Sequence, residues 1–228
     1  MYKRLHLDKV TATITRLEAR IGERFPESGL RVVCQELINL ASGSKVRIDW
    51  VSKPNIGIRL GVAMVILAAA FLFWFTVVAL GLEIRLPRSN DIVMLVDSLL
   101  NTFVLVGASV FFLITLETRI KRSRALSALH ELRAIAHVID MHQLTKDPSF
   151  ALGGDGPTPS SPQRNFTPYQ LRRYLDYCAE MLSLVGKLAA IYSQKLPDPE
   201  IVTAANEIEN LCASLSRKIW QKIQLLDS

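Results

Sequence analysis

The chain has 228 residues, 50% of them apolar and 21% charged, with 27 Lys+Arg against 21 Asp+Glu and a formal net charge of +6. That length allows one or two domains, and the glycine, proline and cysteine contents exclude collagen-like, wholly disordered and disulfide-scaffold classes. Apolar residues are concentrated: Leu60 to Leu82 carries no charge and Ile92 to Leu116 only Asp97, which argues against an ordinary soluble domain, because about 20 apolar residues of helix cross a hydrocarbon core about 30 Å thick.

The chain start, Met1 to Asp8, places no short apolar core behind a basic cap, so the expectation is no cleavable signal peptide, the first span acting as its own insertion signal. In residues 1–55, Leu7, Val10, Ile14, Leu17, Ile21 and Phe25 recur at steps of three and four, the stripe of an amphipathic helix. Pro26-Glu27-Ser28-Gly29 breaks it, and Leu30, Val33, Leu37 and Leu40 begin a second stripe that ends near Gly43. The two stripes predict a helical hairpin. Trp50 suits the headgroup layer, where amphipathic rings collect.

Residues 56–118 are expected to form a transmembrane hairpin, with spans at about 60–82 and 92–116. Lys45, Arg47, Lys53 and Arg59 precede the first span, Arg119, Lys121, Arg122 and Arg124 follow the second, and the connection Glu83 to Asp91 holds only Arg85 and Arg88. The positive-inside rule then puts both termini in the cytoplasm of a multi-pass protein of an inner or plasma membrane. Much of the net positive charge lies where it meets anionic headgroups. Nucleic acid, the other reading of a pI near 9.4, would need a basic face on a recognisable module; none is present, and the lipid bilayer is the expected partner.

No Pro or Gly falls between Glu117 and Leu144, so a helix over 119–147 should continue span two, its main stripe Ala125, Leu129, Leu132, Ala136, Ile139 and Gln143 having heptad-like spacing. Asp147-Pro148 ends it, since the residue before a proline avoids the α region. Residues 148–167 are rich in Pro, Gly and Ser and predict a flexible linker. Its glycines lack the Lys-Ser/Thr that would complete a phosphate loop.

Residues 168–228 read as an antiparallel helical hairpin. Thr167-Pro168-Tyr169-Gln170 is a capping box, followed by the stripe Leu171, Leu175, Cys178, Leu182, Val185, Ala189 and Tyr192. Pro197-Asp198-Pro199 makes the turn with Asp198 as N-cap, and a last helix carries Ile208, Cys212, Leu215, Ile219 and Ile223. Tyr174 and Met181 are core positions rather than a cofactor box. The expected fold is an all-α membrane protein, a two-helix transmembrane hairpin with a cytoplasmic bundle of heptad-like amphipathic helices. Cys34, Cys178 and Cys212 form no Cys-x-x-Cys pair and read as small buried hydrophobes of a reducing compartment.

Asp97 is the first functional candidate, because an ionisable side chain within a span costs about 2.5–3.5 kcal/mol at mid-bilayer on insertion scales. Asn101 lies one turn further in, and Ser98 and Thr102 repeat that spacing alongside. In a ring of subunits this polar half-face would line the outer part of a pore, Asp97 forming a cation-selecting ring. Equally, Asp97 could pair with Arg85 or Arg88 while the amide and hydroxyls join helices.

His130, His137 and His142 cluster after span two. His130 and His137 are seven residues apart, roughly 10.5 Å along a helix, too far to share one ion held by bonds of about 2 Å. His130-Glu131 opens like a zinc-protease helix, but Ala134 stands where the second histidine belongs. His130, Arg133, His137 and Asp140 therefore form either a solvated or packed polar face, or a pH-, lipid- or metal-responsive interface between subunits. Neither a metal site nor a cofactor is expected. Hydrolase, dinucleotide, EF-hand and kinase motifs are missing, so enzymatic activity is not expected.

The resulting expectation is a homo-oligomeric membrane protein forming a gated ion-conducting pore lined by the second span. The alternative is a non-conducting membrane-anchored scaffold or adaptor whose cytoplasmic helices bind a partner protein.

Overall fold

Apolar residues every three to four positions favour helix wherever no proline intervenes, and helix accounts for all the regular structure described. The computed structural model describes residues 4–52, 55–79, 89–146, 148 and 166–227. They form six helices: α1 (Leu7–Arg24), α2 (Gly29–Ser52), α3 (Ile56–Ala79), α4 (Ser89–Leu144), α5 (Pro168–Lys195) and α6 (Pro199–Asp227). No strand occurs among the described residues. The linker expected over 148–167 and the connection between the spans fall largely outside them.

The chain divides into two compact units, residues 53–121 and residues 1–52 with 122–228. In the first, α3 and the apolar part of α4 are long and apolar enough to cross a membrane. Their apolar side chains are exposed, Phe103 and Phe111 at 79% and 73%. In water such a surface would drive association; hydrocarbon tails would cover it without cost. At one end of this hairpin the Asn55 backbone N–H donates to Glu117 Oε1 at 3.0 Å, and Lys121 Nζ lies 2.7 Å from the same carboxylate. Gly61 of α3 lies beside Leu113 of α4, where an added Cβ would make an ordinary van der Waals contact with Leu113 Cδ1 at 4.0 Å.

The other unit is a helical bundle with α5 at its centre. All seven residues of the α5 stripe are buried, and so are Tyr174, Tyr177, Met181, Leu184, Leu188 and Ile191, a second seam offset round the helix. α5 packs on α6 and also on α1 and α2. Polar contacts fix the directions. Leu5 N donates to Gln194 Oε1 at 3.2 Å and Arg20 pairs with Glu180, so α1 runs antiparallel to α5. Lys45–Asp8 and Arg31–Glu18, both 2.9 Å, set α2 antiparallel to α1. Arg122 with Asp198 (2.7 Å), Arg133 with Glu207, and Lys222 Nζ donating to the Gln143 carbonyl (2.9 Å) align α4 parallel to α6. Exposed ion pairs contribute little, about 0–1 kcal/mol each, so they fix register while burial supplies stability.

The stripes predicted for α1, α4 and α6 form the core: Val10 to Phe25, Ala125 to Gln143 and Ile208 to Ile223 are buried at every position read as facing inward except the partly buried Leu7. The α5 capping box is present, Gln170 N donating to Thr167 Oγ1 at 3.2 Å and Thr167 N to Gln170 Oε1 at 2.9 Å. At the start of α6 the Glu200 N–H donates to Asp198 Oδ1 at 3.0 Å.

One boundary differs. α2 does not end near Gly43 but runs to Ser52. Ala41, Ser44 and Ile48 continue its buried face, and the polar member is satisfied: Tyr192 Oη donates to Ser44 Oγ at 2.9 Å, which donates to the Leu40 carbonyl at 2.7 Å. Gly43 then costs only helix propensity, about 1 kcal/mol against alanine, less than packing the remaining turns returns.

Candidate functional site

Three groups of residues could carry function. The first is the polar face of the second span. Asp97 and Asn101 are exposed on α4 and Thr102 is half-buried; at a spacing of four, Asp97 and Asn101 share a face. The side chain of Ser98, and Arg85 and Arg88 with which Asp97 was expected to pair, lie outside the described residues. Further along, a Cβ at Gly107 would meet nothing within 4 Å, and Ser109 Oγ donates to the Leu105 carbonyl at 2.8 Å.

The second group is the histidine face, which the structure divides. His130 and His137 are exposed. Arg133 is engaged by Glu207 of α6, and Asp140 accepts from Gln143 Nε2 at 2.6 Å. The arginine and the aspartate are thus committed to the bundle while both imidazoles face outward. Among the described residues no three His, Cys, Asp or Glu side chains converge as a metal ion would require. The cysteines are buried, and burial pushes the Cys34 and Cys178 thiols up to about 12 and Cys212 to about 11. Thiols held so far above neutrality are poor nucleophiles.

The third group centres on His142, which local spacing alone did not single out as a site. Its ring is half-buried against the start of α2, where a Cβ on Gly29 would stand 2.6 Å from His142 Cε1 and displace the imidazole from this position. Nδ1 lies 3.4 Å from the Tyr174 hydroxyl. Beside it, Lys146 Nζ sits over the rings of Phe166 (4.5 Å) and Tyr174 (5.3 Å). Phe25, Phe166 and Tyr174 pack mutually at centroid distances of 5.2–5.6 Å. Together these residues floor a cleft of about 590 Å³ whose wall includes Arg24, Glu27 and Gln170.

Burial and the Lys146 charge both hold His142 below the usual imidazole value. Above the unfolded-state value of about 6.5 the ring is neutral in both states and has no effect; as pH falls the unfolded chain takes the proton first, and stability is lost until the folded ring protonates too. Among the described residues, Lys146 and the Tyr174 hydroxyl act on the ring directly, and Arg24 and Glu27 line the same cleft. His142→Gln is therefore expected to flatten the fall in thermal midpoint between about pH 7 and pH 5. An unaltered slope in the variant would remove His142 from the acid sensitivity of the bundle.

No family model matches the chain, and no curated protein or solved structure matches it either.

Proposed function

We propose that the protein is an integral membrane protein that works as a homo-oligomer, its second span lining a cation-conducting path, with both termini on the cytoplasmic side of an inner or plasma membrane. The observation that carries this is the exposed carboxylate of Asp97, with Asn101 on the same face, within an apolar helix. A carboxylate left in hydrocarbon is costly, and intramembrane ionisable groups ordinarily face a bundle interior or water. Two spans cannot enclose a channel, so further copies must supply the covering. Asp97 would then concentrate cations at the outer mouth, with Asn101, Ser98 and Thr102 behind it.

A second reading is favoured by the bundle itself. A core drawn from five helices and braced by inter-helix ion pairs is more than a pore requires, and it suits a membrane-anchored scaffold or adaptor that presents a cytoplasmic surface to another protein.

The test joins two measurements on purified full-length protein. Particle mass, corrected for bound detergent or lipid, should correspond to a closed ring of at least four copies. In reconstituted vesicles Asp97→Asn should then lower the cation-to-anion permeability ratio roughly tenfold, since a ring of like charge raises local counter-ion concentration by at least that factor. A monomer or dimer, or a ring whose permeation ignores Asp97, would sink the pore and leave the scaffold.

A further inference from the structure

We propose that the outward face of α4 over residues 127–144 is a parallel helix–helix interface with a second copy of this chain, closed through Ser127, His130, Ala134, His137, Met141 and Leu144. The inference rests on the homo-oligomeric part of the proposed function and is independent of whether the second span conducts.

The first argument is spacing. α4 carries two stripes, and the one from Ala125 to Gln143 is buried in the bundle. The six residues of the other follow one another at steps of three and four, and every one is exposed. At about 100° per residue the second stripe lies nearly opposite the first, and it is roughly 25 Å long. Alternating steps of three and four keep one face of a helix turned towards another helix. α4 thus holds a second seam that its own bundle leaves exposed.

The second argument is charge, and it selects the occupant. None of the six residues carries a formal charge, and neither do the exposed Val138 and Thr145 beside them. Other outer helices present charge on their exposed sides: Arg16 and Glu23 on α1, Glu36 and Asp49 on α2, Glu209 and Arg217 on α6. The ionic residues that flank the strip are engaged within their own bundle. Arg47 holds Glu131 and Glu207 holds Arg133, Arg124 stacks over the Trp50 ring at 3.9 Å, and Asp140 accepts from Gln143. An acidic or basic partner would find no counter-charge on the strip and would lose the hydration of its own ionic groups. A second copy brings the same neutral strip. Two chains of net charge +6 repel one another overall, and along this strip they can approach without opposing like charges.

The third argument is self-complementarity. Copies inserted in one membrane share an orientation, so their α4 helices run parallel and each residue meets its own counterpart. A neutral imidazole has one donor and one acceptor nitrogen, and a hydroxyl both donates and accepts. Paired His130, His137 and Ser127 side chains therefore satisfy one another. Ser127 and Ala134 are small, and the distance between packed helices is set by the side chains at the contact. Met141 and Leu144, 66% and 60% exposed, would be withdrawn from water at the end of the seam, which favours association.

The experiment is oxidative crosslinking of the full-length protein in its membrane, with a cysteine introduced singly as Ser127→Cys, Ala134→Cys or Met141→Cys. Wild type, whose Cys34, Cys178 and Cys212 are buried, is the blank. Ala12→Cys on α1 and Ala213→Cys on α6, both exposed, are controls away from the strip. The three seam variants are expected to form a dimer band roughly tenfold faster than the controls or more, because fixed pairing raises the effective thiol concentration. Adding Ala134→Lys to Met141→Cys should slow its crosslinking roughly tenfold or more, since it sets like charges against each other across the seam. Circular dichroism melts establish that each variant is folded, and three seam positions keep the test intact should one of them fail. Particle mass of the same preparations separates two kinds of failure. Several copies per particle with no preference for the seam cysteines overturns the interface and leaves the oligomer standing; one copy per particle overturns both. Crosslinking of Met141→Cys that ignores Ala134→Lys, or seam cysteines that join a different protein instead of a second copy, would also overturn the interface.

Discussion

Leu182→Ala is expected to lower the stability of the bundle by about 2–5 kcal/mol, the range for a buried leucine replaced by alanine. With roughly 2–4 °C per kcal/mol for a unit of this size, the midpoint of a far-UV circular dichroism melt should fall by about 5–15 °C. Leu182 is fully buried on the α5 seam that also carries Cys178, Val185 and Ala189. The neighbouring seam of the same helix, from Tyr174 to Ile191, is buried too, so the cavity has packed helix on several sides and little freedom to collapse. At Gly186, one turn on, an added Cβ would already lie 3.8–3.9 Å from Glu209 and Cys212, which shows how closely α5 and α6 approach. Val32→Ala, at an exposed position of α2, is the control and should change stability by no more than about 0.5 kcal/mol. Equal melts for the two variants would mean that α5 is not the central helix.

Why some of this architecture could be read from the sequence, and some could not, follows from the range of each interaction. The stripes of α1, α4 and α6 repeat every three to four residues because one face of each helix meets the core, and that information is local. α5 is buried round most of its circumference, so its composition marks Tyr174, Met181 and Tyr192 as core without naming what they touch. Their partners on α1 and α2 are contributed from more than a hundred residues away: Tyr192 reaches Ser44, and Phe25 packs on Tyr174 and Tyr177. The same limit divides the candidate site residues. Helical spacing is enough to place Asp97 beside Asn101. It also groups Arg133 with His130 and His137, yet Arg133 is committed to Glu207 on α6, which no spacing along α4 encodes. His142 became a candidate only when Gly29, Lys146 and Tyr174 converged on it. A glycine at the first position of α2 was the one faint signal, and in sequence it is indistinguishable from turn chemistry.

Phe103→Arg is expected to disrupt membrane insertion of the second span, and its comparison with Asn101→Arg tests the orientation of that helix. Phe103 lies near the middle of the apolar stretch 92–116 and is 79% exposed. On insertion scales, replacing phenylalanine by arginine at mid-span costs about 3–4 kcal/mol, enough to shift an insertion equilibrium by roughly a hundredfold or more. At about 100° per residue, Phe103 points nearly opposite to Asn101, so in an oligomer whose polar face turns inward Phe103 meets lipid while Asn101 meets other subunits or water. Asn101→Arg, at almost the same depth, should therefore be tolerated far better. Protease protection of a C-terminal tag in sealed vesicles reads both, because failure of span two to insert leaves residues 119–228 on the wrong side. Equal loss of insertion for the two variants would mean that both faces meet lipid, and would remove the inward-facing polar stripe on which the pore depends. Equal tolerance would mean that the stretch does not lie in hydrocarbon at all, and the exposed apolar surface of α3 and α4 would then need a protein partner to cover it.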